Sequence, residues 1–205
     1  MKLSLAVAIV ACAAAQRPGS VVRDHADQER AAVRLESFCI GEDPFALGIR
    51  WGSGVIVDDR HLLTARHVTA CQAVPVIQAT FVDGGRARLL VTREDAAADL
   101  ALLELVSSDR FAVVLPAPSL APFPAVGDAA CAATAYPARE TNCGFVEALS
   151  AAPSSNVRVG CRVRFGNSGA GVYDVAGRLI GIVDTMDGEN AAGVTALVGH
   201  RGMLP

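Results

Sequence analysis

Lysine is all but missing from the chain: Lys2 is the only one, and the other seventeen of its eighteen basic residues are arginine. Without lysine there are no Ser-Lys dyads, no Schiff-base chemistry and no phosphate-cradling P-loop. Zinc-ligand spacing is missing too, since no C-x-x-C or H-x-x-x-H pair occurs, so neither a metal nor an organic cofactor is expected. The formal net charge of −3 becomes −4 if Lys2 is removed with the N-terminus, which leaves no electrostatic footprint for nucleic acid. No transmembrane segment is expected, because the apolar run from Leu3 to Ala11 is too short for a permanent span.

That run follows Lys2 and leads into Ala13-Ala14-Ala15 before Gln16, the layout of a secretory signal peptide over residues 1–15. Ile9-Val10-Ala11-Cys12 also resembles a bacterial lipobox, in which Cys12 would carry a lipid anchor. The expected location is therefore secreted or periplasmic, with a lipoprotein as the variant. Residues 16–31 are polar and without alternation, and read as a lead-in, a propeptide or a short helix through Asp24 to Arg34. At 205 residues and 52% hydrophobic content, the chain is long enough to bury a substantial core.

Three separated motifs carry the chemistry. Thr64-Ala65-Arg66-His67 follows an apolar strand, Asp99 opens the apolar run Leu100 to Leu105, and Gly166-Asn167-Ser168-Gly169 sits in a glycine-bounded turn. A serine hydroxyl becomes a useful nucleophile when an imidazole takes its proton and a carboxylate holds that imidazole's tautomer. The order His, Asp, Ser differs from the Ser, Asp, His of α/β-hydrolases and the Asp, His, Ser of subtilisins. In these motifs the chain resembles the trypsin-like, chymotrypsin-fold serine peptidases, whose T-A-A-H, D-[LIV]-A-L-L and G-[DN]-S-G patterns the three segments follow. The resemblance covers roughly residues 32 to 200.

Short β-branched runs separated by turn residues indicate an all-β fold. Six strands are expected at Ala32 to Ser37, Ile49 to Asp58, His61 to Ala65, Val74 to Val82, Arg86 to Thr92 and Asp99 to Leu105. Asp58-Asp59-Arg60 and Asp83-Gly84-Gly85 serve as tight turns. A proline-rich crossover, 106–127, separates residues 32–105 from a second lobe, 128–205. Its strands are expected at Ala129 to Ala135, Cys143 to Leu149, Asn156 to Val163, Val172 to Val175, Arg178 to Thr185 and Gly193 to Val198. Six and six match the two six-stranded antiparallel β-barrels of the resembled family, with the active site in the cleft between them.

The resemblance implies a triad of His67, Asp99 and Ser168, with Asp95 the nearby competitor for the carboxylate and His25, His61 and His200 structural. The N-H groups of Gly166 and Ser168 would form the oxyanion hole. Asn167 cannot make the ion pair that some relatives form with a newly freed N-terminus, and the pattern is closer to bacterial secreted members. Two residues depart from the family. Arg66 replaces a small residue, and Asp184 falls where a serine often supports the catalytic aspartate, so it is expected either to point outward or to reduce activity. Arg162, Arg164, Val183 and Asp184 are the expected specificity-pocket residues, and an inward arginine there would favour an acidic residue before the scissile bond. The expected substrate is a protein or peptide, cleaved by a serine endopeptidase. A catalytically weak relative that binds peptide or protein in its cleft is the alternative.

Five cysteines remain after Cys12. A hairpin centred on Ala152 would set Cys143 opposite Cys161, within disulfide range. That bridge is expected, with Cys39 and Cys71 as a second pair and Cys131 left over.

Overall fold

The computed structural model describes residues 22–40, 47–71, 76–106, 111, 115–150, 156–186, 188 and 190–205. The expected signal peptide, Cys12 and Gln16 lie outside the described residues, as does the Ala151-Ala152-Pro153 turn. A short helix, α1 (His25–Ala31), comes first, capped by Asp24, whose Oδ1 accepts from Asp27 N at 2.9 Å. The helix stops at Ala31 because Ala32 turns extended and the chain continues as a strand.

The first barrel consists of β1 (Ala32–Ile40), β2 (Leu47–Ile56), β3 (His61–Ala65), β4 (Val76–Thr80), β5 (Arg86–Asp95) and β6 (Leu100–Leu105). Its strands close antiparallel in the order β1-β2-β3-β6-β5-β4. The second consists of β7 (Ala129–Thr134), β8 (Glu140–Leu149), β9 (Val157–Val159), β10 (Gly171–Asp174), β11 (Leu179–Met186) and β12 (Ala192–Ala196), closed as β10-β11-β12-β9-β8-β7. The fold is thus all-β, two six-stranded antiparallel barrels, as the strand pattern predicts. Closure satisfies the backbone groups that an open sheet would leave at its edges. The predicted turns form as expected: Asp58 Oδ1 accepts from Arg60 N and His61 N, and Asp83 Oδ1 accepts from Gly85 N.

Each barrel has its own apolar core. Leu35, Ile56, Leu62, Leu63, Leu89, Leu102 and Leu103 fill the first, and Val146, Val157, Val159, Val172, Ile180 and Val194 fill the second. Each such side chain stabilises the fold by about 1.5–3 kcal/mol on leaving water. The chain does not stop at the second barrel. After β12, two 3-10 turns (Leu197–Gly199 and Arg201–Met203) carry Leu197, Met203 and Leu204 into the apolar core of the first barrel.

The cysteine pairing corrects the sequence expectation. Cys39 bonds to Cys71, Cys143 bonds to Cys131 rather than to Cys161, and Cys161 is the one free cysteine among the described residues. Two pieces of backbone cause this. Cys131 and Cys143 are register partners in β7 and β8, with Cα atoms 4.0 Å apart. In β8 and β9, Val146 pairs with Val159, one residue out of the register centred on Ala152, and a bulge follows between Val146 and Ala148. A one-residue slip turns every side chain to the other face. Moreover, β9 ends at Val159, and Cys161 turns into the apolar core of the second barrel.

Burial there, with the charge of Glu147 adding, pushes the Cys161 thiol up to about 11. In a chain starting at Gln16, Ellman's reagent at pH 8 is expected to find no reactive thiol in the native protein and one after unfolding without reductant. A rapidly modified native thiol would contradict the buried placement. The raised value also has a sign: Cys161 favours the fold below the ordinary thiol range, and that contribution disappears as pH rises toward 11.

Candidate active site

β3 runs straight into α2 (Arg66–Thr69), a single helical turn that puts His67 at the mouth of the first barrel. Opposite, Asp99 is the last turn residue before β6, which starts one residue later than expected, and it lies in the left-handed region, with φ 51°, the one non-glycine residue at positive φ among the described residues. Its carboxylate grips His67 twice. Asp99 Oδ1 accepts from His67 N at 2.9 Å, and the His67 Nδ1-H donates to Asp99 Oδ2 at 2.5 Å. That contact fixes the tautomer, leaving Nε2 as the nitrogen free to take a proton. Arg66 N closes the connection by donating to Asp99 O at 2.8 Å.

The serine comes from the second barrel. The loop between β9 and β10 is knitted by Asn167, which is buried: its Oδ1 accepts from Arg164 N at 2.6 Å and its Nδ2 donates to Tyr136 O at 2.7 Å. Both ends of the amide are thus used inside the loop. Gly169 N donates to Val183 O at 2.7 Å and Ser168 O accepts from Ser53 N at 2.8 Å, so the loop is held by both barrels. At Gly169, with φ 89°, an added Cβ would lie 1.9 Å from Ser53 O, an approach only glycine permits. The N-H groups of Gly166 and Ser168 have no hydrogen-bond partner among the described residues. The Ser168 hydroxyl likewise makes no hydrogen bond there; catalytic contacts in free enzymes are commonly long and tighten around substrate.

His67 and Ser168 line one groove between the barrels, together with Arg50, Trp51, Val68, Arg164, Phe165, Gly166, Asp184, Thr185 and Met186. Three large hydrophobic side chains, Trp51, Phe165 and Met186, leave apolar surface exposed along it. Among the described residues, no group of three or more His, Cys, Asp or Glu could hold a metal ion. No helix among them is long and apolar enough to cross a membrane.

Comparison with known families is decisive at this point. The model of the trypsin-like peptidase domain matches residues 52–182, from β2 to β11. The chain belongs to that family. A search of curated protein sequences found no match. The match spans His67, Asp99 and Ser168 and stops just short of Asp184.

Of the four expected specificity residues, the groove takes Arg164 and Asp184. Arg162 is solvent-exposed and Val183 is buried, and neither lines the groove. Asp184 does not point outward. It is buried, with Oδ2 accepting from Thr195 Oγ1 at 2.9 Å. The Arg66 side chain turns away from the groove and pairs with Glu94 at 3.3 Å.

Sequence reasoning missed the residues that support the serine loop. Ser53 Oγ donates to Gly166 O at 3.0 Å, Thr64 Oγ1 donates to Ser53 O at 2.7 Å, and Tyr136 stacks on Trp51 with ring centroids 6.2 Å apart. Arg50 Nη1 donates to His67 O at 2.9 Å. A signal existed in Gly52-Ser53-Gly54: small residues inside a strand mark a place where another backbone comes close. An added Cβ at Gly52 would lie 2.6 Å from Val68 and 3.1 Å from Ser168 O.

Proposed function

We propose that the protein is an exported serine endopeptidase whose triad is His67, Asp99 and Ser168. The observation that carries this reading is the Asp99-oriented imidazole of His67 lining the same groove as Ser168, beside two N-H groups that have no partner among the described residues. In the mechanism, Ser168 Oγ attacks the scissile carbonyl carbon and its proton passes to His67 Nε2. Asp99 stabilises the imidazolium that forms. The carbonyl oxygen becomes an oxyanion held by Gly166 N and Ser168 N. His67 then gives its proton to the leaving amine, the C-N bond breaks, and an acyl-enzyme on Ser168 remains for water to hydrolyse. Export is supported by the apolar N-terminal run and by two disulfides, which persist in oxidising compartments.

A fluorophosphonate probe tests the reading directly. It is expected to label the wild type and not Ser168→Ala; a wild type that resists labelling would instead support a cleft used for binding.

The groove also carries a specificity proposal. Arg164 lines the groove, is partly exposed, and reaches Glu140 only at 3.7 Å, beyond hydrogen-bond distance, so its guanidinium keeps a donor for a carboxylate from the substrate. Arg50 adds positive charge to the same groove. Arg164→Ala is expected to lower kcat/KM for peptides with Glu or Asp before the scissile bond by about 10- to 100-fold, the range of a charge-assisted hydrogen bond, while leaving Leu at that position little changed. A fluorogenic library in which wild type and variant rank Glu, Asp and Leu alike would remove the idea.

A further inference from the structure

We propose that Asp95, braced by His200 from the C-terminal tail, is a positioning residue for Asp99 and thereby sets the rate of chemistry at Ser168. The inference rests on the triad reading above.

The starting point is the strained backbone of Asp99. A non-glycine residue at positive φ costs of order 1–3 kcal/mol and persists only where its surroundings over-determine it. From downstream, Asp99 is held by Arg66 N and by the pairing of Leu100 with Ala65. From upstream the chain offers three alanines, 96, 97 and 98, which have no polar side chain to fix a turn. Asp95 does this work. Its Oδ1 accepts from Ala97 N at 3.1 Å and from Ala98 N at 3.0 Å. Thr195 Oγ1, from β12, lies 3.0 Å from Ala98 O and 2.9 Å from Asp184 Oδ2, so its single proton is shared between the two acceptors. The residue immediately before Asp99 is therefore held through its N-H by Asp95, with its carbonyl beside the Thr195 hydroxyl.

The second oxygen of Asp95 points to the other barrel's tail, where His200 Nδ1 donates to Oδ2 at 3.2 Å. His200 sits between the two 3-10 turns. Its own N-H donates to Leu197 O, and Met203 N donates back to His200 O. The tail is anchored by Leu197, Met203 and Leu204 in the first barrel's core, and by Arg93 Nη1 donating to Gly202 O at 2.8 Å. A rigid path thus runs from the end of the second barrel, through His200 and Asp95, to the carboxylate that orients His67. The Ala98 N-H, against some desolvation and helped by the charge of His200, holds the Asp95 carboxyl below the usual range. Glu94, the preceding residue, pairs instead with Arg66.

A turn-forming residue that served stability alone would change how much enzyme is folded, not how fast each active site works. Sites are therefore counted by the p-nitrophenyl acetate burst, and kcat, KM and the pH profile on labelled casein are expressed per counted site. Asp95→Ala is expected to lower kcat about 10- to 100-fold, the scale of a small misplacement at a catalytic group, with KM within about twofold. The acid limb of kcat/KM moves to lower pH, because a displaced Asp99 stabilises the imidazolium less. Asp95→Asn keeps an oxygen for both alanine N-H groups and restores most of the rate. His200→Ala lowers kcat by a smaller factor, and by none when Asp95 is already alanine.

Wild-type kcat per site and an unmoved acid limb in Asp95→Ala would overturn the proposal, whatever its melting temperature. Should Asp95→Ala not fold, wild-type kcat per site in His200→Ala overturns it equally. A wild type that gives no burst and no fluorophosphonate labelling defeats the triad reading instead, which keeps the two failures apart.

Discussion

Ser168→Ala is expected to lower kcat for peptide hydrolysis on the order of 10⁶-fold, and His67→Ala by a similar factor. The double variant should be no slower than either single one, because nucleophile and base act as one unit. Asp99→Asn is expected to cost about 10⁴-fold: its amide can present an N-H to His67 Nδ1 where the carboxylate accepts, and so favours the wrong tautomer. Ser168→Ala should fold normally, since among the described residues the hydroxyl makes no hydrogen bond whose loss would leave a buried group unsatisfied. Single-turnover assays on labelled casein, at equal folded concentration by circular dichroism, check these values. Ser168→Ala turning over at the wild-type rate would end the acyl-enzyme account.

The parts of the fold legible in the sequence are those governed by local rules. Asp58 and Asp83 announce their turns because their side chains bond the backbone two or three residues on, within the same segment. The strand runs are legible for a similar reason: β6 is buried at nearly every position and reads as a continuous apolar run. The motifs around His67, Asp99 and Ser168 are compact for their own local reasons, a strand end, a strand start and a glycine-bounded loop.

What the sequence hides is set across the molecule. The one-residue slip of β8 against β9, with its bulge after Val146, cannot be read from hydrophobic pattern; together with the β7-β8 register that sets Cys131 opposite Cys143, it decides the pairing. Ser53, Tyr136 and Trp51 look like ordinary strand and turn residues until the serine loop lands on them. The pairing of Asp95 with His200 spans 105 residues, so neither side chain carries a local sign of the other. Asp184 is a further example. Its carboxylate lies 2.9 Å from the hydroxyl of Thr195, eleven positions later in β12.

The second large effect is expected at Gly166, where that long-range support meets the chemistry. With φ 92°, the residue occupies the left-handed region, which costs an L-side chain roughly 1–2 kcal/mol. An added Cβ would also lie 2.1 Å from Tyr136 Cδ1 and 2.7 Å from Cε1. The ring has little freedom to yield. Trp51 stacks on it, the Arg34 guanidinium lies 4.9 Å from its centroid, and the Tyr136 carbonyl accepts from Asn167 Nδ2. The loop must therefore give way, loosening the bond from Ser53 Oγ to Gly166 O and swinging the Gly166 N-H off the oxyanion position. Gly166→Ala is expected to lower kcat by about 10²- to 10³-fold, the worth of one oxyanion donor, with KM little changed. Removing the ring as well, in Gly166→Ala with Tyr136→Ala, should recover part of that loss, because the steric push disappears while the backbone strain stays. A Gly166→Ala variant with wild-type kcat would mean that this N-H does not face the developing charge, and that the oxyanion must be held elsewhere.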